Sequence, residues 1–97
     1  MENMVNNMAE ANIIYVGKKP TMNYVLAVVT QFNNNIEQVT IKARGKAISK
    51  AVDIAEIAKH KFIQTANYHK ITLSTEVVEG ERGESNVSSI EIVMTRN

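Results

Sequence analysis

Apolar residues along this chain alternate between two spacings, and the alternation lays out a succession of elements. Ile13-Ile14-Tyr15-Val16 is a short apolar and aromatic run ended by Gly17, the pattern of a buried strand. Pro20 follows Lys18-Lys19, and its fixed φ and missing N–H suit the first turn of a helix. Met22, Val25, Leu26, Val29 and Phe32 then recur at helical spacing and predict one apolar helix face. Asn33-Asn34-Asn35 stops that helix, because short amides compete for backbone hydrogen bonds and tolerate turn geometry.

Val39 to Arg44 alternates apolar with polar, which predicts a strand with one wet face, broken at Gly45. Ile48, Ala51, Val52, Ala55, Ala58 and Phe62 mark a second amphipathic helix. Ile54 and Ile57 fall on its flank, where they either widen the core face or meet another subunit. Ile71–Val77 and Val87–Met94 read as two further strands, joined by a polar loop over Glu79–Asn86 with two glycines. That connection is longer than an ordinary hairpin turn and reads as a projecting arm.

The order β-α-β-α-β-β implies an α/β sandwich: a four-stranded mixed sheet, both helices on one face, and the third and fourth strands forming the projecting hairpin. The opposite face and the loop ends stay open for partners. Residues 1–12 lack the basic start and apolar centre of a secretory signal and read as a flexible lead-in to one domain over residues 13–97. No apolar run approaches the roughly 20 residues that cross a bilayer. A soluble, cytoplasmic protein without a membrane partner is the expectation.

Charge changes this picture. The formal net charge is only +1, yet Lys18 to Lys50 holds six bases (Lys18, Lys19, Lys42, Arg44, Lys46, Lys50) against Glu37 alone. Residues 71–97 hold five acids against two bases. Where charge sits determines the local field, so an acidic half does not cancel a basic patch elsewhere. Lys42 and Arg44, two apart on a strand, share a face. Gly45-Lys46 enters the second helix, where free N–H groups and the helix dipole favour anions. Crossovers of one hand bring the Lys18-Lys19 and Arg44–Lys46 turns to one edge of the sheet. Several cations converging with a helix N-terminus suit a phosphate backbone, and the lack of interleaved aromatics argues against base stacking.

Catalysis and metal binding find no support. Cysteine is absent, His60 and His69 stand outside any metal-spaced motif, and Asp53 is the only aspartate. The Gly45-Lys46 pair lacks the first glycine of a phosphate loop and the Ser or Thr after its lysine. The expectation is no enzyme, no cofactor and no metal.

The segments IYVGKKPTMNYVLAVVTQFN, VTIKARGKAISKAVDIAEIAKHKF and VSSIEIVMTR together resemble the Alba family of archaeal chromatin proteins, over Ile13 to Arg96. The resemblance implies a homodimer that coats and condenses double-stranded DNA with little sequence preference, binds RNA as well, and sits on the chromosome in the nucleoid. By matching position it makes Lys18 and Lys19 the central nucleic-acid contacts, with Arg44 a further one supported by Lys42 and Lys46. It marks Lys18 as an acetylation site, and Phe62 as the aromatic through which dimers meet along a duplex in higher-order assembly. Asn23 and Tyr24 match the family as well, and Tyr24 reads as structural. The hairpin departs from the family: Asn86 stands where some members carry a base, and Arg82 faces Glu79, Glu81 and Glu84 at the tip. The arm is therefore expected to add less affinity than in more basic members. The competing reading is an assembly subunit that joins a ribonucleoprotein complex or a paralogous subunit through Ile54, Ile57 and Phe62.

Overall fold

The β-branched stretch Gln38–Arg44 forms a central strand, β2, whose alternate side chains Val39, Ile41 and Ala43 are buried while Lys42 and Arg44 face outward. The computed structural model describes residues 12–96, so the lead-in expected over residues 1–12 lies, apart from Asn12, outside the described residues. In chain order the elements are β1 (Ile13–Tyr15), α1 (Thr21–Asn33), β2, a 3₁₀ turn (Gly45–Ala47), α2 (Ile48–Ile57), a π turn (Ala58–Phe62), β3 (Asn67–Gly80) and β4 (Gly83–Thr95). The sheet order is β1-β2-β4-β3. β1 runs parallel to β2, and β4 is antiparallel to both β2 and β3. This is the four-stranded mixed sheet with two helices that the sequence pattern predicts.

The core lies between the helices and one face of the sheet. Phe32, Ile41, Ile54, Met94, Val25, Val28 and Val39 are its largest fully buried side chains. At ~1.5–3 kcal/mol for each large apolar side chain, this cluster is the main favourable term in folding.

The helix faces are rotated from the predicted stripes. In α1 the buried residues are Tyr24, Val25, Val28 and Phe32, while Met22 and Leu26 are exposed. Val25 to Val29 is an unbroken apolar run, so more than one helical stripe fits it. In α2 Ile54 is fully buried beside Ala51 and Ala55, which puts the supposed flank at the centre, while Val52 is exposed. The last predicted turn winds as a π turn, closed by Ile63 N–H donating to the Ala58 carbonyl at 2.8 Å. The extra residue in that turn swings Phe62 out of the stripe, leaving it 44% exposed.

The predicted long loop over Glu79–Asn86 is a correction of another kind. β3 and β4 pair continuously as far as Gly80 opposite Gly83, so only Glu81 and Arg82 form the turn. Neither has positive φ, and Gly83 at φ +99° absorbs the twist at the tip. Because β2 pairs with β4 only from Ser89 onward, residues 75–88 form a two-stranded arm beyond the sheet. The arm is present, but it is strand nearly to its end.

Candidate nucleic-acid interface

Parallel pairing of β1 with β2 brings the two basic turns to the same end of the sheet. Tyr15 lies opposite Lys42, and Val16 N–H extends the ladder by donating to the Lys42 carbonyl at 2.9 Å. The chain leaving β1 enters the Lys18-Lys19 turn, and the chain leaving β2 enters the Gly45–Ala47 turn. Each turn feeds a helix. Neither α1 nor α2 has a side-chain hydrogen bond at its N-cap or an acidic residue in its first turn. Two helix N-termini that carry neither a side-chain cap nor an acid, at the same end as the lysines, make an anion-attracting edge.

The cations at this edge differ in what they touch. Lys18, Lys19 and Lys46 are exposed, and no ion pair or hydrogen bond engages their ammonium groups among the described residues. Lys42 and Arg44 project from the open face of β2, away from the helices. The Lys42 Nζ sits 6.0 Å from the centre of the Tyr15 ring, within cation–π range. Arg44 Nη1 lies 3.2 Å from Glu76 Oε1 on β3, so the matched arginine is held by an acid. The sequence offers no sign of this pair, because it depends on the order of β2, β4 and β3 across the sheet.

Lys50 belongs to the basic cluster by charge but is turned onto the loop. Its Nζ donates to the carbonyl oxygens of Gly17 at 3.0 Å and Lys19 at 2.9 Å. Tyr24, on the buried face of α1, accepts at its hydroxyl from Gly17 N–H at 2.9 Å and Lys19 N–H at 3.1 Å. A Cβ at position 17 would stand 3.3 Å from that hydroxyl, so a side chain there would have to push the hydroxyl back by a few tenths of an ångström.

The arm residues stand apart from this edge. Arg44 lies opposite Ser89, so Asn86 is three residues, or roughly 10 Å, further toward the tip, and Arg82 seven residues, or roughly 24 Å. Glu79 and Glu84 face each other one pair before the Gly80–Gly83 pair that closes the arm. Phe62, at the end of the π turn, belongs to a different part of the surface again. Both histidines are exposed: His60 pairs with Glu56 at 3.2 Å, and His69 sits at the β3 irregularity between Tyr68 and Lys70. Among the described residues no cluster of three His, Asp or Glu side chains could hold a metal ion. No helix among them is long and apolar enough to cross a membrane.

Known proteins share this fold and much of the sequence. The sequence pattern of the Alba family matches residues 12–75. A DNA/RNA-binding protein Alba from Picrophilus torridus is 74% identical over 90 residues, covering 92% of this chain and 100% of that one. Its counterpart from Methanoculleus marisnigri is 59% identical, over 91% of this chain and 97% of its own. The solved structure of Alba from Thermoplasma volcanium superposes with a TM-score of 0.85 at 71% identity, covering 87% of this chain and 99% of that one. An Alba protein from Trypanosoma brucei gives 0.75 at 29% identity, over 89% of this chain and 69% of its own. Motifs, fold and sequence relatives agree: this chain belongs to the Alba family.

Proposed function

We propose that this chain is a dimeric nucleic-acid-binding protein that coats double-stranded DNA through its phosphate backbone and also binds RNA. The observation that carries the reading is the shared edge, where Lys18, Lys19 and Lys46 are exposed beside two helix N-termini without acidic residues. Contacts of this kind neutralise phosphates without reading base edges, so affinity comes with little sequence choice. The names of the Picrophilus and Methanoculleus relatives, DNA/RNA-binding proteins, support the ligand class.

Lys42 and Arg44 extend the binding edge along β2, and Asn86 and Arg82 reach phosphates only where the arm lies along the duplex. Acetylation of Lys18 would remove one exposed charge and weaken binding. The dimer reading rests on Ile71 and Leu73. They share a face with buried Ile92 and Ile90 yet remain 54% and 73% exposed, beyond the cover of the helices. A second copy of the chain would cover that apolar strip and double the basic edge. Phe62 is the contact between neighbouring dimers, and their alignment along DNA compacts it in the nucleoid.

The test is the salt dependence of duplex binding by the purified protein, with its mass measured in solution. A dimer that neutralises roughly six phosphates gives a slope of log K against log[salt] near −5. A flat dependence would reject the phosphate-backbone reading. Purification from cells with one stoichiometric protein partner and little bulk DNA or RNA would favour the role of an assembly subunit in a ribonucleoprotein complex or with a paralogue.

A further inference from the structure

All four backbone groups of Gly17 and Lys19 are held by two side chains, one from each helix. Tyr24 on α1 accepts from both N–H groups, and Lys50 on α2 donates to both carbonyls. The Lys50 Nζ also lies 5.9 Å from the centre of the Tyr24 ring, so the two clamps brace each other. Lys18, the residue between the clamped positions, is exposed. Two of the three ammonium donors of Lys50 are committed to carbonyls, which leaves it poorly placed to serve as a free phosphate ligand.

We infer that Lys50, with Tyr24, is a positioning residue: it fixes the backbone of the Lys18-Lys19 turn before nucleic acid arrives. The inference rests on the phosphate-backbone reading above and adds a distinct role for one of its cations. An unclamped turn would lose conformational freedom on binding, and freezing one residue's backbone weakens binding by about tenfold. The clamp moves that ordering into folding. Charge alone would count Lys50 with the phosphate ligands, and the hydrogen bonds assign it to the loop.

A double-mutant cycle on duplex binding separates the two roles. Lys50→Met should weaken binding by about tenfold per turn in the wild-type background. It should have almost no effect once Lys18 and Lys19 are both glutamine, because nothing remains to position. Tyr24→Phe should show the same dependence, and Lys50→Arg should restore most of the affinity. The salt slope of Lys50→Met should stay close to wild type, whereas loss of a phosphate ligand would flatten it by ~0.9 for each contact removed. Additive losses in the cycle with a flattened slope would overturn the positioning role. Wild-type protein that binds with no salt dependence would reject the underlying phosphate-backbone reading instead. If Lys50→Met does not fold, the Tyr24→Phe cycle decides alone, since that change removes one oxygen from the clamp.

Discussion

Arg44 on β2 and Glu76 on β3 are joined by an ion pair of 3.2 Å across the open face of the sheet. Both side chains are about half exposed, 59% and 46%, so the pair is worth less than about 1 kcal/mol to the fold. If Arg44 is a phosphate contact, as proposed, the effect on binding is larger, because the carboxylate repels an approaching phosphate and occupies the arginine. Glu76→Gln should therefore leave the unfolding midpoint nearly unchanged and raise duplex affinity by roughly fivefold at low salt. Titrations at several salt concentrations check this. Unchanged affinity would place Arg44 outside the contact surface.

The arm gives a second prediction. Glu79 and Glu84 are directly opposed, a like-charge pair that costs a hairpin roughly 0.2–1 kcal/mol. Glu79→Lys turns this repulsion into attraction and brings a cation to the tip near Arg82. Amide exchange between residues 75 and 88 should slow, and duplex affinity should rise with a steeper salt slope. Slower exchange without any gain in affinity would show that the tip stays clear of the phosphates.

Phe32 and Phe62 differ in burial, and so in what their loss should do. Phe32 is fully buried, and truncation to alanine at such a site costs about 3–5 kcal/mol. Phe62 is 44% exposed after the π turn, so Phe62→Ala should cost far less, about 1 kcal/mol. If Phe62 joins neighbouring dimers, its loss should abolish cooperative coating of long duplexes while one dimer on a short duplex binds as before. Retained cooperativity would assign that contact to another surface.

Much of this was legible in the chain, and the reasons for the rest are specific. Strict alternation in Val39–Arg44 placed Lys42 and Arg44 on the open face, and the glycines and proline marked both basic turns. The helix faces were harder, since Val25 to Val29 satisfies more than one stripe and the π turn breaks the period just before Phe62. The polarity of Glu79–Asn86 suggested a loop because strand pairing there is set by register with β3, which residue type alone does not reveal. For the same reason the acid on Arg44 and the clamp formed by Tyr24 and Lys50 became visible only with the fold. In each case the missing information was which distant segment lies next door.

Gly45 tests the second basic turn. It has φ +59°, and an added Cβ would meet Val87 only at 3.5 Å, so backbone strain and not crowding opposes a side chain there. Gly45→Ala should destabilise the protein by about 1–2 kcal/mol, read from chemical denaturation. A change well below this would mean that the turn relaxes to another conformation. Such relaxation should weaken duplex binding too, because Lys46 and the N-terminus of α2 follow directly.

The contact between Glu56 and Tyr68 makes stability depend on pH at both extremes. Glu56 on α2 accepts a hydrogen bond from the Tyr68 hydroxyl on β3. That bond holds the carboxyl below its ordinary pKa of 4.5, helped by the charge of His60 and opposed by burial. Burial first, then the bond and charge of Glu56, push the Tyr68 phenol above its ordinary pKa of 10.0. For the lowered group, stability is present above the unfolded pKa and is lost as pH falls through the folded one. For the raised group, it is present below the unfolded pKa and is lost as pH rises through the folded one. Wild type should therefore be more stable than Tyr68→Phe by a constant margin between pH 4.5 and 10.0, and the margin should shrink outside those limits. Urea denaturation of both proteins across this range measures it. A margin that stays constant into acid would show that Glu56 is not held ionised by this bond.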